Sequence, residues 1–394
     1  MTRPLDGITV VTLEHAIAAP FCTRQLADLG ARVIKVERPG VGDFARSYDE
    51  RVRGQASHFV WTNRSKESLA LDLKHEQAPQ ILGKLLETAD VLVQNLAPGA
   101  AARLGLSFET LHKRHPKLIV CDISGYGDDP AAPGPYRDAK AYDLLIQSES
   151  GFLSVTGSPD EPAKAGCSIA DIAAGMYAYS NILTALIERG RTGLGKRIDI
   201  SMLESMVEWM SFPLYYAFDG AEPPQRAGAA HATIYPYGPF PTGDGRSVML
   251  GIQNEREWLA FCTRVLEQPE LATDPRFVTN ARRSAARAEL KALIDDSFAR
   301  FSADQVVERL DAAQIANARV NRMADVWNHP QLAARGRWVD VEIPGGSVPA
   351  LLPPGATSAR MDAVPALGAD SERVLAELGY DADTIDQLKR SGAL

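Results

Sequence analysis

The opening of the chain restricts its fold more than any other feature. A β-branched run, Ile8-Thr9-Val10-Val11-Thr12-Leu13, is followed by a helical stretch from Phe21 to Leu29 closed by Gly30, and then by Val33-Ile34-Lys35-Val36. Two strands separated by one helix read as a parallel pair, because a hairpin needs only a short turn whereas a parallel return needs a crossover. Asp90-Val91-Leu92-Val93-Gln94 and Leu118-Ile119-Val120-Cys121-Asp122 repeat the strand signal, each after a helical pattern, and Ile198-Asp199-Ile200 is a further candidate. The spacing predicts a doubly wound α/β domain.

From about Ser201 the character changes. Residues 213–241 are rich in Pro, Gly, Tyr and Ala and read as an extended, loop-bearing connection. Residues 255–311 read as helical, with Trp258, Phe261, Val265 and Leu266 on one face of the first helix. A Pro-rich stretch, 343–354, precedes a short helical pair between Leu375 and Leu388 around Gly379. The expected division is a large α/β domain over 1–205, a linker over 206–225, a small, mainly helical domain over 226–325, a second linker over 326–354, and a C-terminal return to the large domain over 355–394.

Several function classes fall away. With 42 Lys+Arg against 50 Asp+Glu, the net charge is −8 over 394 residues. A non-specific nucleic-acid binder would carry the opposite balance, and no nucleic-acid or membrane partner is expected. The long uncharged stretch Ile172 to Ile187 is too short and polar to span a bilayer. Four scattered cysteines form no CxxC pair, and no apolar leader is visible after MTRPLDG, so a reducing, cytoplasmic setting is expected. The first strand–helix turn, Glu14-His15-Ala16-Ile17-Ala18-Ala19-Pro20, has no glycine, which disfavours a dinucleotide site. Gly190-Arg191-Thr192-Gly193-Leu194-Gly195-Lys196 matches GxxxxGK, but Arg197 stands where a magnesium-binding hydroxyl belongs, and the segment follows a helix and precedes a strand. A phosphate loop needs the reverse order, so this is a helix end. GxSxG and HExxH are absent. His112 and His115 lie in a charged stretch without further ligands, and no metal site is expected.

Asp171 is the residue to single out. It follows Cys167-Ser168-Ile169-Ala170 and begins the apolar run Ile172 to Ile187. The bland reading is an N-cap. The chemical reading uses the same place: orphan amides and the helix dipole keep a carboxylate ionised, by about 0.3–1 kcal/mol at exposed sites. Ala170, Ala173, Ala174 and Gly175 leave room for an acyl group, and an uncrowded carboxylate is a covalent nucleophile.

These residues resemble a known family. Pro4-Leu5-Asp6-Gly7-Ile8, Ala18-x-Pro20, Leu26-Ala27-Asp28-Leu29-Gly30-Ala31, Val33-Ile34-Lys35-Val36-Glu37 and Gly42-Asp43-x-x-Arg46 are similar to the family III CoA transferases. So are Asn63-Arg64-x-Lys66-x-Ser68, Leu71-Asp72-Leu73-Lys74, Ala89-Asp90-Val91-x-Val93-x-Asn95, Ser124-Gly125-Tyr126-Gly127, Ala170-Asp171-x-x-x-Gly175 and Thr192-Gly193-x-Gly195. The resemblance implies a Rossmann-like large domain and a small domain joined by two linkers, each chain an open ring interlocked with a second copy as a homodimer. It implies that Asp171 is the nucleophile, passing through an acyl anhydride and an aspartyl–CoA thioester. CoA thioesters are then substrates, and no cofactor or metal is held permanently. The implied CoA-binding positions are Ile17, Ala18, Arg38, Leu71, Asp72, Leu73, Lys74, Asn95, Leu96, Ala97, Arg103, Lys140, Ala141, Tyr142 and Asp143.

The racemase branch of this family carries His before Asp where this chain reads Ala141-Tyr142-Asp143. Tyrosine, with a pKa of about 10, is a poor base at neutral pH, so transfer is preferred to racemisation. Gly228-Ala229-Ala230-His231 and Pro236-Tyr237-Gly238-Pro239-Phe240 resemble the subgroup acting on C4–C5 dicarboxylates such as itaconate, mesaconate, malate or citramalate, with succinyl-CoA as donor. Arg46 and His231 are the candidates for a second carboxylate. An intramolecular mesaconyl-CoA C1–C4 transfer and a non-catalytic CoA-binding homologue stay open.

Overall fold

The computed structural model describes residues 2–356 and 358–394. The chain divides into two compact units. One gathers the N-terminal part up to Ser150, Ala165–Met210 and Gln331–Leu394, and the other Gly151–Lys164 and Ser211–Pro330.

The larger unit is built on six strands: β1 (Thr9–Leu13), β2 (Arg32–Glu37), β3 (Lys66–Ala70), β4 (Val91–Gln94), β5 (Ile119–Ser124) and β6 (Arg197–Ser201). All neighbours are parallel, in the order β3-β2-β1-β4-β5-β6. The order reverses between β1 and β4, and ligands of such sheets bind at that switch point, beyond the carboxyl ends. Connections run through α1 (Ala18–Asp28), α2 (Ser57–Asn63), α3 (Ala78–Glu87), α4 (Phe108–Arg114), α5 (Asp143–Glu149) and α6 (Ile169–Thr192). Val11, Leu13, Ile34, Val36, Leu92 and Val120 from the strands pack with Ile81, Leu82, Leu85 and Leu111 from α3 and α4.

β3 is absent from the sequence reading, because Lys66-Glu67-Ser68 shows no apolar run. Its two inward polar groups are buried and bonded instead: Lys66 to Glu14, and Ser68 to Glu37. The C-terminal segment closes this edge. Asp370 accepts the Ser68 amide, Ser371 accepts the Ala70 amide, and helices Ser371–Glu377 and Ala382–Arg390 add Val374, Leu375, Ile385 and Leu388 to the core.

Three boundaries differ from expectation. Residues 151–164 go with the smaller unit, although 1–205 reads as one domain. The 206–225 linker begins in helices Met202–Trp209 and Ser211–Tyr216, whose apolar residues form regular turns. The 326–354 linker holds an antiparallel pair, Trp338–Ile343 with Gly346–Leu351. The smaller unit also contains more than helices. β7 (Tyr237–Pro241), β8 (Ser247–Gly251) and β9 (Ala316–Arg319) form an antiparallel sheet, against which Trp258, Phe261, Leu290, Ile294, Phe298 and Leu310 pack. β7 escaped notice because Pro239 and Pro241 sit in it, positions that suit an edge strand.

The GxxxxGK segment is a helix end: Gly193 caps α6 at φ 74° and its amide bonds the Arg189 carbonyl. No described helix is long and apolar enough to cross a membrane, and all four cysteines are free.

Candidate active site

Asp171 is not the cap that sequence suggests. α6 begins at Ile169, after Ser168, so Asp171 is the third helical residue. The small residues Ala170, Ala173, Ala174, Gly175 and Ala178 are buried, and α6 packs closely on α1. A Cβ on Gly175 would lie 2.7 Å from the Ala18 carbonyl oxygen, so only glycine admits this approach. The approach brings the N-terminus of α1 to the carboxyl group, and the Ala18 amide is hydrogen-bonded to it. The N-cap residue of α1, Ile17, supplies no capping side chain of its own.

The expected low pKa is corrected as well. Burial pushes the Asp171 carboxyl up to about 7, and the nearby Asp143 carboxylate adds to the rise, against the lowering effect of the Ala18 amide. A carboxyl desolvated between two helix ends loses more from water than it gains from one amide. Asp143 is itself fixed: it accepts the Ala170 amide at 2.9 Å and the Gln147 side chain at 2.6 Å, and Gln147 accepts the Ala165 amide. It therefore supplies the cap that Ser168 does not. A Cβ on Gly125 would lie 2.2 Å from Ala141 Cβ, and this contact seats the segment leading to Asp143.

Beneath the β1–α1 turn lies a charged cluster that sequence reasoning missed. Glu14, Lys35, Glu37, Asp43 and Lys66 are fully buried. Lys35 Nζ donates to Asp43 at 2.7 Å, and Lys66 Nζ to Glu14 at 2.7 Å and to the Pro20 carbonyl at 3.0 Å. Glu14 also accepts from Thr12 and Thr23. With Arg46 at its edge, three carboxylates face three cations. Lys35 pulls Asp43 far below the ordinary carboxylate range, whereas burial brings Lys66 down to about 8 despite Glu14. The signal was present: a parallel strand reading Val33-Ile34-Lys35-Val36-Glu37 is covered on both faces, so its charges require partners.

The expected CoA positions all fall in the larger unit, on segments that leave the carboxyl ends of strands. Ile17 and Ala18 follow β1, Arg38 follows β2, Leu71 to Lys74 follow β3, Asn95 to Ala97 follow β4, and Lys140 to Asp143 follow β5. Arg38, Lys74, Arg103 and Lys140 are exposed, whereas the Leu71 side chain is fully buried and offers only its backbone. Asn95 spans the switch point, accepting the His15 amide and donating to the His15 carbonyl, both at 2.9 Å. Tyr48, which the sequence did not mark, lies where Asp43 and Asp171 both raise its hydroxyl pKa, after burial. Arg46 is engaged: Glu37 takes both its Nε and Nη2, the Pro365 carbonyl accepts from it, and Phe59 lies 3.7 Å from its charge. That leaves no free edge for a substrate carboxylate. His231 lies in the smaller unit, stacked on Tyr237, with Nδ1 accepting the Thr233 and Ile234 amides. Among the described residues no group of three or more His, Cys, Asp or Glu side chains converges to hold a metal.

The Asp171 carboxyl group thus stands at the N-termini of α1 and α6, on the carboxyl side of a doubly wound sheet, where covalent acyl transfer is chemically open to it. The model of CoA-transferase family III matches residues 5–371, and the chain belongs to that family and is a CoA transferase. It is 35% identical to the succinate–glutarate CoA-transferase of Agrobacterium fabrum, over 95% of this chain and 96% of that one. It is 34% identical to the succinyl-CoA:mesaconate CoA-transferase of Haloarcula hispanica, over 86% of each chain. The crystal structure of a CAIB/BAIF family protein from Brucella suis superposes with a TM-score of 0.84 at 34% identity, covering 96% of this chain and all of that one.

Proposed function

We propose that the chain moves CoA from succinyl-CoA to a C4–C5 dicarboxylic acid through covalent intermediates on Asp171. The observation that carries this reading is the carboxyl group of Asp171, bonded to the Ala18 amide at the N-terminus of α1. The Asp171 carboxylate attacks the thioester carbonyl; the C–S bond breaks, and CoA leaves as thiolate with the electron pair. The thiolate attacks the Asp171 carbonyl of the anhydride, releasing succinate and forming the aspartyl–CoA thioester. The acceptor carboxylate displaces the thiolate, and the thiolate then takes the acceptor acyl group and frees Asp171. No proton changes hands, so the cycle requires no general base, and Tyr142 in place of histidine is no obstacle. The Ala18 amide, bonded to the Asp171 carboxyl group, is assigned to the oxyanion that develops there.

Arg38, Lys74, Arg103 and Lys140 are assigned to the phosphates and adenine of CoA, which an acidic chain must hold by local cations. His231 is assigned to the acceptor's second carboxylate, because accepting at Nδ1 leaves Nε2 as a donor. A homodimer belongs to the same reading; Trp209, Phe212, Leu214, Tyr215 and Phe218 are an exposed apolar run suited to a second copy. Incubation with succinyl-CoA and a panel of glutarate, itaconate, mesaconate, malate, citramalate and oxalate tests the substrate class. New thioesters of the C4–C5 acids are expected by mass, and transfer to oxalate alone overturns it. Hydroxylamine trapping at Asp171 separates transfer from racemisation.

A further inference from the structure

Asp43 occupies an unusual place in the buried cluster. One carboxylate oxygen is held by Lys35, and the other leaves the network to accept two backbone amides, Ala16 at 3.0 Å and Ala45 at 2.9 Å. Ala16 has φ 60°, the left-handed region that a residue with a Cβ avoids. Two residues further on, the Ala18 amide meets Asp171. The turn between them is short, and its other anchors are the two Asn95 bonds to His15 and the Lys66 bond to the Pro20 carbonyl.

We propose that Asp43, held by Lys35, is a positioning residue: it fixes Ala16 in the left-handed conformation and so aims the Ala18 amide at the nucleophile. An ion pair serving stability alone needs no bond to the backbone of this turn, and a turn that was content on its own would not place alanine at positive φ. Displacing such a donor by a fraction of an ångström weakens transition-state stabilisation without touching CoA binding. The proposal rests on Asp171 being the nucleophile, so its test includes a readout that needs no turnover.

Asp43→Ala is compared with Asp43→Ala/Ala16→Gly, glycine taking positive φ without help. Exchange of labelled succinate into succinyl-CoA gives kcat and KM, and residue-resolved hydrogen exchange follows the Ala18 amide. The single variant is expected to lose about tenfold in kcat at unchanged KM and about tenfold in Ala18 protection. The added glycine is expected to return both to within about threefold of the parent chain. Unchanged rate and protection in Asp43→Ala, or no recovery with glycine, overturns the proposal. Should Asp43→Ala not fold, Lys35→Met/Asp43→Asn removes both charges yet keeps an oxygen for Ala16. It is expected to preserve Ala18 protection, and loss of that protection overturns the proposal. If Asp171→Asn retained exchange, the covalent reading would fall, while Ala18 protection would still decide the role of Asp43.

Discussion

Both units have apolar cores, but they treat buried charge differently. Under the β1–α1 turn the larger unit buries Glu14, Lys35, Glu37, Asp43 and Lys66 beside one another. The smaller unit encloses Tyr235, Phe240, Trp258, Phe261, Phe277 and Phe298, and among its described residues Arg283 is the one buried charged side chain. Arg283 lies against Trp258 and bonds the Tyr235 and Phe277 carbonyls, so even this charge supports the aromatic core. The remaining ion pairs of that unit, such as Arg246 with Asp244 and Asp304, lie at the surface. Apolar packing is the better source of stability, because the desolvation of buried ions offsets most of their attraction. The buried network is therefore better understood by where its bonds end: on the Ala16 and Ala45 amides and the Pro20 carbonyl, around the turn that meets Asp171.

That contrast can be broken at several points. Asp171→Asn, nearly isosteric, is expected to lower thioester exchange by about 10⁴-fold or more, measured with succinyl-CoA, while leaving both cores intact. Lys66→Met removes the 2.7 Å partner of Glu14, leaving it Lys35 at 3.4 Å, and is expected to cost about 3–5 kcal/mol in denaturant unfolding. A loss as small as that of a surface pair would show that the network is not mutually dependent. In the pH profile, the proposed mechanism requires the raised Asp171 carboxyl to ionise before it attacks. kcat/KM is therefore expected to rise with pH and level off above about 7, falling about tenfold per unit below it. The same shift predicts that Asp171→Asn melts above the parent chain at pH 8. A carboxyl whose folded pKa exceeds its unfolded value destabilises progressively from about 4 to 7, and the difference should shrink as pH falls through that window. The smallest effect is expected for Arg246→Ala in the smaller unit: an unchanged unfolding midpoint, because the pair is exposed and screened.

The sheet was legible where strands are apolar, as in Val10-Val11 or Ile119-Val120, and illegible at β3, whose pairing partners are ionic and distant in sequence. Asp171 was legible because small residues and a long apolar run surround it. Its raised pKa was not, since that comes from burial in the packed fold and, after it, from Asp143, 28 residues away in sequence and held by Gln147 and the Ala170 amide. The cations marked for CoA lie on segments that follow the carboxyl ends of strands, as the α/β pattern implies. Arg46 looked equally available in the sequence, but Glu37, the Pro365 carbonyl and the Phe59 ring had already taken it.

The contact at Gly175 has one more consequence. Backbone touches backbone there, at a spacing no side chain can pad. The gap between the Ala18 amide and the Asp171 carboxyl group is thus a fixed dimension of the scaffold, like the throat of a spanner cut from one piece of metal. Drift elsewhere in the sequence can tune which acid arrives, but the jaw itself can widen only by prising two helices apart.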